Sequence, residues 1–318
     1  MTHLSQTTGS VRVHRIEYWV NMNKSIGKLL DKNVGHRRAF ASPGLRRIVT
    51  MAGPPHLKSY HVMSDTWNGP KLSIAVMADL HVVAPWTSLT ALSRTAELVN
   101  TLNADIIVLA GDYLAEAKLP GNRATATQIF DALSALDAPL GVFAVLGNHD
   151  WADCEKAKKS NYTENSVVDA LQKSSFHLLQ NSNQMIEHMG ANFWIVGLDS
   201  QHPAPGRPQI VHHDPDRAYE GVPDGADSIL VAHEPDYFAA QDHRSALQIS
   251  GHTHGGQANL FGWRPIVPSR FGARYAYGHF VDENRQMIVS GGMGYSGVPM
   301  RIGQPPEVNL INFGRLST

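Results

Sequence analysis

Residues 141–150 read Gly-Val-Phe-Ala-Val-Leu-Gly-Asn-His-Asp, and they combine the features of a buried strand and a polar site. An apolar run of strand length stops at a glycine and is followed at once by three polar side chains. Short apolar runs bounded by turn residues are typical of buried strands in parallel sheets. Two earlier runs share the arrangement, since residues 73–78 lead to Asp79 and residues 105–110 lead to Asp112. The sequence therefore predicts a set of buried strands that each end in polar residues.

Helical patterns lie between these strands. Residues 87–102 and about 124–136 carry apolar side chains at helical spacing, with Thr87 or Ser88 as a plausible cap. Alternating strands and helices favour βαβ units and a parallel sheet. The later part of the chain is richer in strands, predicted at about 185–188, 193–198, 228–232, 246–249, 279–281, 286–290 and 308–313. We therefore expect an α/β fold in which two mixed sheets stack and helices flank them.

Polar clusters follow the apolar runs in a fixed order. Ligands of open α/β sheets bind outside the carboxyl ends of the strands, so these clusters mark a candidate site. Carboxylate, amide and neutral imidazole groups suit divalent ions such as Mn, Fe, Zn or Ni, and they do not select among them. Residues two apart in an extended segment point to the same side, which predicts two pairs of ligands. The clusters are Asp79-Leu80-His81, Gly111-Asp112, Gly147-Asn148-His149-Asp150, His233 and Gly251-His252-Thr253-His254.

This ordered set resembles the signature of the calcineurin-like metallophosphoesterases. The closer resemblance is to the bacterial YkuE/YaeI-like branch, which includes UDP-diacylglucosamine pyrophosphohydrolases of the lipid A pathway. Residues 139–150, 232–236, 250–257 and 299–307 carry it, and it covers about 58–318. The resemblance implies an α/β/β/α sandwich, two divalent metal ions and hydrolysis of a phosphodiester or phosphoanhydride bond by a metal-bridged hydroxide.

The resemblance also assigns roles to individual residues. It implies that Asp112 bridges the two metals. His149 would stabilise developing charge or protonate the leaving oxygen, and Asp150 would orient His149. The remaining ligands divide into Asp79, His81 and His254 for the first metal and Asn148, His233 and His252 for the second.

Three further side chains near these clusters are candidates for substrate contact. They are Tyr113, Trp151 and Arg301, and a purely structural role is the alternative for each. Arginine suits phosphate because its guanidinium can bind two oxygens at once. Substrate specificity is expected in loops at about 113–123, 151–165, 201–224 and 259–278.

The first 57 residues differ in charge from the rest. They hold nine Lys or Arg residues against Glu17 and Asp31, a balance of +7, whereas the whole chain carries −1. We predict a basic N-terminal extension at 1–57 and a metallophosphoesterase domain at 58–318. Partial helical spacing at 16–30 allows a basic amphipathic helix that contacts a membrane or packs on the body. The chain shows no apolar run of transmembrane length and no signal peptide, so a cytoplasmic location, with peripheral contact at the inner membrane as an alternative, is expected.

Composition narrows the choice of function. Cys154 is the only cysteine, which excludes a disulfide within the chain and a thiolate metal cluster. The body carries −8 and lacks the basic surface of nucleic-acid-binding proteins, so no nucleic-acid partner is expected. The expected partner is a phosphate-ester substrate, with a lipid-linked nucleotide sugar as the alternative. A non-catalytic scaffold of the same fold is disfavoured because no ligand position departs from the pattern.

Overall fold

The computed structural model describes residues 49–50 and 54–316. The predicted amphipathic helix at 16–30 lies outside the described residues. Among the described residues, no helix has the length and apolar character needed to cross a membrane.

The described strands and helices alternate in the first half of the chain, and strands dominate the second half. The strands are β1 (Val49–Thr50), β2 (His56–Ser64), β3 (Leu72–Met77), β4 (Val83–Ala84), β5 (Ile106–Leu109), β6 (Asn122–Arg123), β7 (Val142–Ala144), β8 (His177–Leu178), β9 (Ser182–His188), β10 (Ala191–Leu198), β11 (Ser228–Ala232), β12 (Leu247–Ser250), β13 (Gly278–Asp282), β14 (Arg285–Val289), β15 (Arg301–Ile302) and β16 (Glu307–Arg315). The helices are α1 (Leu89–Asn100), α2 (Ala126–Leu133), α3 (Asn148–Ala152), α4 (Glu155–Lys159), α5 (Ser166–Leu171) and α6 (Pro215–Ala218), with 3-10 helices at Pro235–Ala240 and His254–Gly256.

Two six-stranded mixed sheets form the body. The first has the order β2-β16-β3-β5-β7-β8, and the second has the order β13-β14-β12-β11-β10-β9. The strands β3, β5, β7 and β8 run parallel, as do β10, β11, β12 and β14, whereas the edge strands β9 and β13 are antiparallel to their neighbours. The predicted pair of mixed sheets with flanking helices is confirmed.

Alternation along the strands divides the core into layers. Ile74 and Val76 of β3 join the apolar cluster shared by both sheets, whereas Ala75 and Met77 join the cluster beneath the helices. Successive side chains of a strand point to opposite faces, so a strand covered on both faces reads as a continuous apolar run. This explains why the central strands were predictable.

The helices α1 and α2 begin at side-chain caps. The hydroxyl of Ser88 accepts the N–H of Ala91, and Thr125 forms a reciprocal capping box with Gln128. Their buried faces pack in the cluster beneath the first sheet. Both predicted helices are therefore present, and each is shorter than its apolar pattern.

Strand β2 begins inside the segment predicted as the extension. His56 and Leu57 pair with Glu307 and Val308 of β16, so these two residues belong to the first sheet. The strand was not predicted because its first half is exposed and lacks an apolar alternation. The short helices α3, α4 and α5 were also missed, since five or six residues are too few to show a helical period.

Candidate metal centre

The predicted ligands all follow the carboxyl ends of strands, and the two sheets bring them together. Asp79 and His81 follow β3, Asp112 follows β5, and Asn148 follows β7. From the second sheet, His233 follows β11, and His252 and His254 follow β12. Asn148 is partly buried, and the other six are buried.

Five of these residues have a left-handed backbone. Positive φ is uncommon for non-glycine residues and costs on the order of 1–3 kcal/mol where it is strained, and it concentrates at functional sites. The sequence argument placed Asp79 with His81, and His252 with His254, on one side of an extended segment. That geometry is wrong, because the chain turns at each of these positions, and the turns aim the pairs at the cleft. The φ values are 51° at Asp79, 39° at His81, 58° at Asp112, 70° at His252 and 53° at His254.

The first group consists of Asp79, His81 and His254, whose candidate ligand atoms lie within 4.8 Å of one another. Nε2 of His254 is 3.6 Å from Oδ1 of Asp79 and 3.1 Å from Nε2 of His81. Nδ1 of His81 is 3.0 Å from the carbonyl oxygen of Leu114, to which it donates as a neutral ring. This leaves the lone pair on Nε2 of His81, directed into the group.

The second group consists of Asp112, His233 and His252, again within 4.8 Å. Nδ1 of His233 lies 2.7 Å from the carbonyl oxygen of Ala110, which fixes that ring in the same way. Nδ1 of His252 lies 2.8 Å from Oδ1 of Asn148, so Asn148 joins this group.

Asp112 lies between the two groups. Its Oδ2 is 3.5 Å from Nε2 of His81 and 3.1 Å from Nε2 of His233. Its Oδ1 accepts the backbone N–H of His149 at 2.7 Å. One carboxylate therefore faces a histidine of each group, which is the arrangement of a shared ligand.

The electrostatics of the groups fit a divalent cation. Burial raises the pKa of Asp79 to about 7. The charge of Asp112 also raises this pKa, whereas the nearby His233 lowers it. Burial lowers the pKa of His81 to about 4 and holds those of His252 and His254 well below their usual range, so these rings are neutral and able to coordinate. Oδ2 of Asp79 and Nε2 of His252 are buried without a hydrogen-bond partner. Burial would lower the pKa of His233, but the charge of Asp112 raises it well above its usual value, so a cation bound there would take the place of the proton on that ring. Two buried carboxylates beside three neutral imidazoles suit a metal, because a cation offsets the cost of burying the anions.

His149 lies at the edge of the groups and is paired with Asp153. Nδ1 of His149 is 2.6 Å from Oδ2 of Asp153, and the ring centroid is 5.0 Å from that of His81. Burial alone would lower the pKa of His149, but the charge of Asp112 and the hydrogen bond that the ring donates to Asp153 raise it to about 9. The side chain is 19% exposed, so it remains within reach of a bound substrate.

Asp150 does not contact the ring of His149, and its predicted orienting role is wrong. Its carboxylate is buried and accepts four backbone N–H groups. Oδ1 accepts from Tyr113 and Leu114 at 2.8 and 3.1 Å, and Oδ2 accepts from Asp112 and Gly147 at 2.9 Å each. Asp150 therefore holds the turn that presents Asp112. The carboxylate that contacts the ring of His149 is that of Asp153, four residues after it.

The three candidates for substrate contact are structural. Arg301 is 0% exposed and donates to the carbonyl oxygens of Gly291 and Gly294. The hydroxyl of Tyr113 is buried between two strand carbonyls. The indole of Trp151 donates to the buried carboxylate of Asp199 at 2.8 Å and so ties α3 to the end of β10.

Sequence reasoning missed three polar residues near the groups. Asp153 could have been found from its i+4 spacing to His149. His202 and Glu234 each offer a ligand atom within 4.8 Å of His252, and the ring of His202 is 4.8 Å from that of His252. They border the second group; His202 lies outside the stretches that carried the resemblance, whereas Glu234 lies within residues 232–236 and was not singled out.

The family profile of the calcineurin-like phosphoesterases matches residues 72–256, more than half of the chain. The chain belongs to this family and is a metal-dependent phosphoesterase.

Relatives share the domain at modest identity. The uncharacterized metallophosphoesterase YkuE of Bacillus subtilis is 27% identical over 75% of this chain and 77% of its own length. The UDP-2,3-diacylglucosamine pyrophosphatase LpxG of Chlamydia trachomatis is 27% identical over 77% of this chain and 86% of its own. Among solved structures, the NAD nucleotidase NadN of Haemophilus influenzae aligns with a TM-score of 0.44 and 13% identity, over 72% of this chain and 46% of its own. The predicted relationship to calcineurin-like enzymes is confirmed.

Proposed function

We propose that the chain is a phosphohydrolase that binds two divalent cations and cleaves a phosphodiester or phosphoanhydride bond. The observation that carries the proposal is the position of Asp112, with Oδ2 facing His81 at 3.5 Å and His233 at 3.1 Å. Asp79, His81 and His254 would hold one ion, and Asn148, His233 and His252 would hold the other. Cations bound there would supply hydroxide near neutral pH and polarise the phosphoryl oxygens. The ligand set accepts Mn, Fe, Zn or Ni.

Residues that do not bind the metals would supply the proton and hold the ligands in position. The pKa of His149, raised to about 9, keeps its ring protonated, so Nε2 carries a proton in addition to the one that Nδ1 donates to Asp153 at 2.6 Å. The ring would donate a hydrogen bond to the phosphoryl oxygen or a proton to the leaving oxygen. Asp150 would hold Asp112 in position, because its carboxylate accepts the backbone N–H groups of Asp112 and Tyr113.

The test compares bis-p-nitrophenyl phosphate with p-nitrophenyl phosphate, with Mn²⁺ added or chelated. We expect diester turnover that requires the metal and falls at least ~100-fold in Asp112→Asn and His149→Ala, because each loses a group that contacts the metals or the reacting phosphate. The matched controls are Asp131→Asn and His61→Ala, which change exposed residues of the same types. Equal turnover in Asp112→Asn and Asp131→Asn would contradict the proposed site.

A lipid-linked nucleotide sugar is the second candidate substrate. The similarity to LpxG, whose name assigns it to UDP-2,3-diacylglucosamine, supports it. Hydrolysis of that pyrophosphate in detergent micelles would release UMP and a lipid phosphate, which mass spectrometry separates. If release of UMP is no faster than in Asp112→Asn while the aryl diester is cleaved, this substrate is excluded and the phosphohydrolase proposal stands.

A further inference from the structure

A hairpin directly after the candidate metal centre projects apolar side chains into solvent. Leu260 and Trp263 exchange backbone hydrogen bonds at 2.9 and 3.1 Å, and Phe261 and Gly262 form the two-residue turn between them with φ of 55° and 95°. Two left-handed residues are the hallmark of a tight hairpin turn. Phe261 is fully exposed, and Trp263 is 64% exposed. With Leu260 at 41% and Ile266 at 36%, these four side chains form what we call the apolar tip.

The hairpin is fastened to the wall of the metal centre. Asn259 donates its backbone N–H to Ile302 at 2.7 Å, and the side-chain oxygen of Asn259 accepts the N–H of Gly262 at 2.7 Å. The guanidinium of Arg264 donates to the carbonyl oxygen of Gly255 at 2.9 Å, and Gly255 immediately follows the candidate ligand His254. The apolar tip is therefore held at a fixed position beside the site.

Positive charges dominate the segment that carries the tip, although Nε of Arg270 lies 3.7 Å from Oδ2 of Asp236 in the preceding 3-10 helix. Residues 255–281 contain Arg264, Arg270 and Arg274 and no Asp or Glu, although residues 58–318 carry a balance of −8. Arg270 and Arg274 are exposed. A positive segment on an acidic body selects an anionic partner, since the rest of the surface repels it.

The small area and protruding shape of the apolar tip favour a membrane over a folded protein as the anionic partner. A stable interface between proteins buries about 800 Å² on each side. Four exposed side chains on and beside one hairpin offer only a few hundred Å², because one aromatic residue supplies at most about 150–250 Å². A protruding aromatic turn in a segment whose charged side chains are arginines matches the lipid interface, where aromatic rings settle at headgroup level and cations attract anionic lipids.

We propose that the apolar tip inserts into the surface of a bilayer containing anionic lipids, with Arg270 and Arg274 against the headgroups. The tip would then hold the neighbouring metal centre at the membrane surface. The proposal concerns binding alone and does not depend on which phosphate ester the site cleaves.

The test measures cosedimentation of the full chain with vesicles of phosphatidylcholine alone and with ~30% phosphatidylglycerol. We expect binding to the anionic vesicles that falls at least tenfold in Phe261→Ser/Trp263→Ser, because two apolar anchors are lost. Met189→Ser/Leu98→Ser is the matched control, because it also removes two exposed apolar side chains. Met189 is 82% exposed between β9 and β10, and Leu98 is 50% exposed on α1. Unchanged melting temperatures verify the fold of both double variants.

The arginines are tested in the same assay. Arg274→Gln is expected to weaken binding about threefold or more, as a juxtamembrane cation contributes measurably near an anionic surface, and Arg94→Gln on α1 is expected to have no effect. Three results would overturn the proposal. They are no binding of the parent chain to anionic vesicles, equal binding by the parent and Phe261→Ser/Trp263→Ser, and binding that is the same on both lipid compositions.

Discussion

Replacing Asp150 by asparagine is expected to destabilise the turn that carries Asp112. Each oxygen of the carboxylate accepts two backbone N–H groups, and asparagine would place its amide nitrogen against two of these donors. A hydrogen bond to a charged group contributes about 1.5–3 kcal/mol, and a buried donor left unpaired costs about 1–3 kcal/mol. The loss of two such bonds is therefore expected to lower the free energy of unfolding by about 3 kcal/mol or more.

Thermal unfolding measures this loss directly. For a domain of about this size, 1 kcal/mol corresponds to about 2–4 °C, so the Tm of Asp150→Asn should fall by about 6–12 °C. Asp153→Asn is the matched comparison, because it removes the partly exposed contact to His149 and leaves the turn intact. We expect its Tm to change by less than about 3 °C, while kcat on an aryl phosphodiester falls about tenfold or more.

The pair of variants separates the two roles. If Asp150→Asn leaves Tm within 2 °C of the parent and lowers only kcat, then the carboxylate does not hold the turn and the reasoning from its four N–H contacts is refuted. The reasoning about His149 is refuted if Asp153→Asn retains full kcat.

Three other changes follow from the same geometry. Gly147→Ala should lower metal content measured by plasma mass spectrometry, because the added methyl would lie about 2.8 Å from Cγ of Asp112; full metal occupancy would contradict this. Tyr113→Phe should cost about 1 kcal/mol in chemical denaturation and spare kcat, since the buried hydroxyl bonds only to the carbonyl oxygens of Leu109 and Val145; a large fall in kcat at equal stability would restore the idea of substrate contact. Chelation should lower the Tm of the parent by removing ligands that bind only the folded state, and should leave Asp112→Asn unmoved; an equal shift in both would place the stabilising metal elsewhere.

The sequence predicted the strands that are buried on both faces and missed elements without a pattern. Residues 106–109 and 229–232 are wholly apolar and buried, so length and composition revealed them. The edge strand β2 pairs along nine residues, but its first half is exposed to solvent. Its sequence therefore lacks the apolar pattern of a buried strand. The packing of the two sheets places His233 near Asp112, and it depends on contacts between residues far apart in sequence. This proximity could be predicted only from the family resemblance.

The sequence predicted the proposed metal ligands, but it did not predict the backbone turns that position them. All seven proposed ligands follow strand ends in the expected order. The left-handed turns that aim them could not be derived, because Asp and His prefer other conformations and adopt these only where surrounding bonds hold them. The contact between Asp153 and His149 was open to prediction from its i+4 spacing, whereas the backbone contacts of Asp150 depend on the fold of the turn around Asp112.

The most direct test of the central claim is a crystal structure of the chain grown with Mn²⁺, with anomalous differences recorded at the manganese edge. We expect two peaks about 3.5–4 Å apart. One should contact Asp79, His81 and His254, the other should contact Asn148, His233 and His252, and both should contact Asp112. A single peak, or peaks that do not contact Asp112, would contradict a shared dinuclear centre.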